Sequence, residues 1–118
     1  MAENNKIQVL RRRSDFLALK AKGRRIRPSK WLLINYKPND LGHVRCGWTI
    51  PKKVGKAVVR NKLKRWCREC VRKFTSADVE RGLDLNIVIL NDSDTDFFKR
   101  IKYAEFKEAL ERGLRSLS

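Results

Sequence analysis

Hydrophobic spacing changes period along this chain, and each change marks an element. In SDFLALKAKG (14–23) the apolar residues Phe16, Leu17 and Leu19 suit a short helix. Ser14 is placed to cap its start and Gly23 to stop it. RRIRPSK (24–30) reads as a basic loop closed by Pro28. WLLINY (31–36) alternates as a strand, with Trp31, Leu33 and Asn35 on one face and Leu32, Ile34 and Tyr36 on the other. KPNDLG (37–42) carries turn chemistry. HVRCGWTI (43–50) is the next strand, so 31–50 reads as a hairpin ended by Pro51.

The period then lengthens. Leu63, Trp66, Cys70 and Phe74 recur at helical spacing, with Val59 and Cys67 beside them, and predict a helix over about 57–74. TSADVERG (75–82) is a connection. LDLNIVIL (83–90) is a strand whose fully apolar end predicts burial on both faces. NDSDTD (91–96) supplies capping residues for the next segment, and 96–102 can form a short helical turn. Tyr103, Phe106, Leu110, Leu114 and Leu117 form one side of an amphipathic helix over 103–117. The order α-β-β-α-β-α predicts an α+β sandwich, one domain built on one sheet.

Charge changes the picture. The chain has 118 residues and a formal net charge of +16. Residues 1–73 hold 22 Lys and Arg against four acids, for +18, whereas residues 74–118 hold 7 against 9, for −2. A field this strong costs stability through self-repulsion and implies an anionic partner. Its segregation implies a docking face. Between 52 and 73 stand ten basic residues and one acid, Glu69. Arg60, Lys64 and Arg68 repeat every four residues on one helical face, flanked by Arg65 and Arg72. Like charges at that spacing destabilise a free helix by about 0.2–0.5 kcal/mol per pair, and phosphates would relieve them. A merely solvated basic face would carry interspersed Glu. Asn61 in this row is a poor helix former. Its amide suits a base, a sugar or backbone oxygen, or a local hydrogen bond.

Other motifs carry less. His43, Cys46, Cys67 and Cys70 make a zinc-like H-x2-C…C-x2-C, yet both cysteines of the CxxC fall inside the helix, Cys70 in its apolar stripe. Buried cysteine serves as a small hydrophobe, so no metal site is expected. Asp92, Asp94 and Asp96 open like a calcium loop, but Phe97 and Tyr103 stand where Gly and Glu are needed. One histidine excludes a two-histidine ribonuclease site. Ser14, Ser29 and Ser76 lack a visible base. No catalytic side chain is expected. No apolar run crosses a bilayer, no signal peptide is visible, and three cysteines make no complete disulfide set. The expectation is a soluble, cytoplasmic protein with no membrane or small-molecule partner.

GWTIPKKVGKAVVRNKLKRWCRECVRKF (47–74) resembles the signature of the protein subunit of bacterial ribonuclease P, a Lys-Lys-x-Gly-x-Ala-x-x-Arg-Asn-Arg run followed by a basic helix. Here it reads Lys52, Lys53, Gly55, Ala57, Arg60, Asn61, Lys62. The Leu10…Asp15-Phe16…Gly23 pattern, the hairpin, the 83–90 strand and the last helix extend the likeness over nearly the whole chain.

The resemblance implies an α/β sandwich of α-β-β-(β)-α-β-α order with a left-handed βαβ crossover, as in the second domain of a small-subunit ribosomal protein. It implies a catalytic RNA partner that uses Mg2+ to free the 5′ end of precursor tRNA. Lys52, Lys53, Lys56, Arg60, Asn61, Lys62, Lys64, Arg65 and Arg68 would face RNA. A cleft for the 5′ leader would be lined by Phe16, Lys20, Leu32, Ile34, Arg45 and Thr49, with Tyr36 or Trp31 as further aromatics. Lys20 and Ile34 replace aromatics of some members, so stacking should be weaker and phosphate contact stronger. Lys62 in place of Arg keeps charge but not the fork. A ribosomal or ribosome-assembly protein, a zinc-dependent nucleic-acid binder and a self-sufficient nuclease are the competing readings.

Overall fold

Leu83, Leu85, Ile87 and Ile89 alternate along the strand Leu83–Ile89, and that strand is the centre of the sheet. The computed structural model describes residues 8–76, 82–90, 94 and 96–117. In chain order the elements are β1 (Gln8–Val9), α1 (Arg13–Lys22), β2 (Arg24–Ser29), β3 (Leu32–Pro38) and β4 (Val44–Thr49). After them come α2 (Ala57–Ser76), β5 (Leu83–Ile89), α3 (Phe97–Arg100) and α4 (Tyr103–Arg115). A single 3-10 turn, Lys52–Val54, precedes α2. The class is mixed α+β, as expected.

The sheet order is β1-β4-β5-β3-β2. β5 runs antiparallel to β3 (Ile34↔Ile87) and parallel to β4 (Cys46↔Leu85). The β4–α2–β5 segment is therefore a βαβ unit. This corrects the hairpin expected over 31–50: β3 and β4 are not neighbours, because β5 lies between them. The hairpin that does form is β2–β3, so RRIRPS is an edge strand rather than a loop. The pairing shifts register between Ile26 and Ser29, where Pro28 can give no ladder hydrogen bond. Ser14 does not cap α1. The capping position is Arg12, and no side chain caps it.

Period-2 alternation gives the sheet two unlike faces. Leu32, Ile34, Val44, Cys46, Leu83, Leu85, Ile87 and Ile89 join the main core with Leu63, Cys67, Cys70 and Val71 of α2 and Phe106, Leu110 and Leu114 of α4. Trp31 fixes the corner. Its ring stacks on Phe106 at 5.5 Å and meets Phe98 edge-on at 6.0 Å. The opposite face carries α1. There Leu10 and Leu19 are buried apart from the main core.

Candidate nucleic-acid interface

The apolar stripe of α2 fastens the helix to the sheet, and its remaining positions carry the cations outward. Val54, 2% exposed, pins the 3-10 turn beneath the first turn of α2. Lys52, Lys53, Lys56, Asn61, Arg65 and Arg68 are exposed, while Arg60, Lys62 and Lys64 are half-buried. The structure thus brings all nine expected residues onto one element and its approach turn, but not with equal freedom. Arg60 donates from Nε to the Gly55 carbonyl at 3.1 Å and ties the helix to the turn. Arg68 lies over the Trp48 ring at 5.4 Å.

Lys62 departs from expectation. Its ammonium donates to the Phe98 carbonyl at 3.0 Å and sits 5.0 Å from the Trp66 ring centre. That charge is engaged by α3 and the aromatic cluster. This contact ties α2 to α3.

Of the residues expected to line a leader cleft, Phe16, Lys20, Arg45 and Thr49 belong to the other face of the sheet and to α1, which covers it. Phe16 rests on the bare backbone of β4. A Cβ on Gly47 would come within 2.6 Å of its ring. Thr49 Oγ1 donates to Asn86 Oδ1 at 3.2 Å. Lys20 is exposed in the last turn of α1. Arg45 points to this face but is claimed by carboxylates. It makes a bidentate pair with Asp84, Nε to Oδ1 at 2.9 Å and Nη2 to Oδ2 at 2.7 Å, and Asp15 stands 3.6 Å away. Burial pushes the Asp84 carboxyl up, but the Arg45 fork, the Asn39 amide at 2.7 Å and nearby Lys37 outweigh it and hold Asp84 below its ordinary value. Arg45 is thus held in an ion-pair network on this face.

Four expected cleft residues need correction. Leu32 and Ile34 are 0% exposed and belong to the main core, on the face away from α1. Tyr36 shares their parity and packs against the same core. Trp31, just before β3, is likewise buried there, 5% exposed. All four are therefore excluded from the cleft. The β3 residues on the α1 face are Leu33 and Asn35, cross-strand from Val88 and Asn86. Asn35 is 7% exposed, and its Oδ1 is the buried side-chain acceptor without a hydrogen-bond partner among the described residues. Sequence reading misses Asn35, Gly47, Asp84 and Asn86. An acid and an amide alternating inside an apolar strand, Asp84 and Asn86, are the available signal.

The zinc-like quartet does not assemble. His43 is exposed, with Nδ1 3.1 Å from the Leu41 carbonyl and Nε2 against Gln8 Oε1. Cys46, Cys67 and Cys70 are buried free thiols. Burial raises all three, Cys70 to about 11, which leaves them protonated and inert. Among the described residues no group of three or more His, Cys, Asp or Glu is arranged to hold a metal ion. The calcium-like run lies partly outside the described residues. Of its described part, Asp94 pairs with Arg100. No helix among the described residues is long and apolar enough to cross a membrane.

A βαβ unit whose crossover helix is cationic on its outer face defines an α+β protein suited to a polyanionic partner. The sequence profile of the Ribonuclease P family matches residues 5–117, and the chain belongs to that family as a bacterial ribonuclease P protein subunit. The ribonuclease P protein component of Thermotoga maritima is 33% identical over 101 residues, covering 86% of this chain and 84% of its own. That of Citrifermentans bemidjiense is 36% identical over 96 residues, covering 81% and 80%. The solved RNase P protein from Thermotoga maritima superposes with a TM-score of 0.80 at 28% identity, covering 94% of this chain and 98% of that one. The RNase P protein of Staphylococcus aureus shares the fold, with a TM-score of 0.79 at 24% identity.

Proposed function

We propose that this chain docks on the catalytic RNA of ribonuclease P through α2 and its approach turn, and holds the 5′ leader of precursor tRNA in the cleft beneath α1. The carrying observation is the division of the molecule into two working faces. α2 and its approach turn present Lys52, Lys53, Lys56, Arg65 and Arg68 to solvent, on a helix pinned by its apolar stripe. The α1 face offers Phe16 for stacking and Asn35, Asn86 and Thr49 as a polar floor. Binding on α2 is driven by released counterions. The exposed Thr49 hydroxyl can exchange hydrogen bonds with a ribose 2′-hydroxyl, a group that distinguishes RNA from DNA. Mg2+ belongs to the ribonucleoprotein and supplies the hydrolytic chemistry with the RNA. The protein side chains bind and orient.

The test is precursor-tRNA cleavage at low Mg2+ with protein alone, with a bacterial ribonuclease P RNA alone, and with both. Cleavage that needs both is expected. Cleavage by protein alone would place an active site in the polypeptide, and tight RNA binding without stimulation would favour a ribosome-assembly role.

A further inference from the structure

The first turn of α2 carries a residue that phosphate attraction does not explain. Val58 is 74% exposed, on a face otherwise made of Lys, Arg and Asn. It forms the lip of a cavity of about 710 Å³ between the start of α2 and the region of α3. Val54 and Val59 lie beneath it. Asn61 lines one side, and Lys56, Arg65 and Lys99 bring cations to the rim. Lys62, held on the Phe98 carbonyl and over Trp66, forms a fixed part of the wall.

This size falls in the range of small-ligand sites, about 300–1,000 Å³. A phosphate alone uses neither the depth nor the valines. An aliphatic side chain would not use the cations. A flat heteroaromatic ring carrying a phosphate uses both.

We infer that this cavity receives the base of one unpaired nucleotide of the RNA that docks on α2, with its phosphate on the Lys56, Arg65 and Lys99 rim. The inference deepens the proposed function and rests on it for the source of the nucleotide. Unstacked bases are the usual target of proteins that read RNA beyond its backbone. The Asn61 amide offers a donor and an acceptor to a base edge. This gives the poor helix former a role at its position. Asp96, the one acid among the described residues of the lining, can accept from an exocyclic amino group.

The test titrates isotope-labelled protein alone with AMP and, separately, with ribose 5-phosphate, following the Val58 and Val59 methyl and Asn61 side-chain amide resonances. AMP should move all three in a saturable way, whereas ribose 5-phosphate should leave them in place. Val58→Ser, at an exposed site where folding is not at risk, and Asn61→Ala should each weaken AMP by about fivefold or more, read from the resonances that remain. Equal response to both ligands would reduce the site to a phosphate contact and overturn the inference. So would the absence of saturation. The cleavage assay reads the docking role independently, so intact stimulation with no AMP binding discards the pocket alone. AMP binding without stimulation upholds the pocket and discards the RNA assigned to it.

Discussion

At the scale of single residues, the Arg45–Asp84 pair decides how the cleft floor responds to acid. Asp84 is 3% exposed and hydrogen-bonded by Arg45 and Asn39. Its folded-state value is lowered, so its stabilising contribution is full above the ordinary carboxylate value, about 3.9, and is lost as pH falls through the lower folded value. Asp84→Asn should lower stability at pH 7 by on the order of 2 kcal/mol, since it leaves a half-buried guanidinium short of its partner. The gap between variant and parent should close below pH 4. Denaturant unfolding at a series of pH values measures this. Parallel pH curves would show that Asp84 is not the linked group.

Residue parity also explains why the cleft is only half legible in the sequence. Phe16, Lys20, Arg45 and Thr49 lie on α1 or on the sheet face that it covers. The alternation of Leu32, Ile34 and Tyr36 gives two faces without saying which one meets α1. Only the partner strand resolves that. Asp84 and Asn86 on β5 stand cross-strand from Lys37 and Asn35 and mark the polar face.

At the scale of elements, α2 is legible because its 3.6-residue period is carried by large apolar residues and survives any tertiary context. The hairpin error has the opposite cause. The KPNDLG turn is locally persuasive, but turn chemistry cannot report a strand arriving from far downstream. β2 is hidden because Ile26 is its one large apolar residue and Pro28 interrupts it.

Within α2 the structure separates free from engaged cations. Arg65→Ala should weaken binding to ribonuclease P RNA and reduce the slope of log affinity against log salt by about 0.9 for each phosphate no longer neutralised. Lys62→Ala should leave that slope nearly unchanged and instead lower the thermal midpoint, since it removes the tie to Phe98 and Trp66. Equal slope changes would mean that Lys62 leaves α3 when RNA binds.

At the scale of the whole molecule, a net charge of +16 is spread on a chain whose α1 face has only a small buried layer of its own. Self-repulsion is relieved by any multivalent anion that binds the folded state. Thermal unfolding in sulfate should therefore give a higher midpoint than in chloride of equal ionic strength. An equal midpoint in the two salts would assign the effect to screening alone.

The central place of β5 sets the order in which this molecule can come into being. Synthesis delivers α2 ahead of the strand that completes the sheet beneath it. Until Ile89 has left the ribosome, β3 and β4 have no common neighbour, and the valine, leucine and cysteine side of α2 lacks the β5 and α4 residues that complete its core. For that interval the nascent chain displays its most cationic segment and the uncovered apolar stripe of the same helix together. A chain stopped just short of β5 should therefore persist as an RNA-adhesive, aggregation-prone fragment rather than as a smaller version of the same protein.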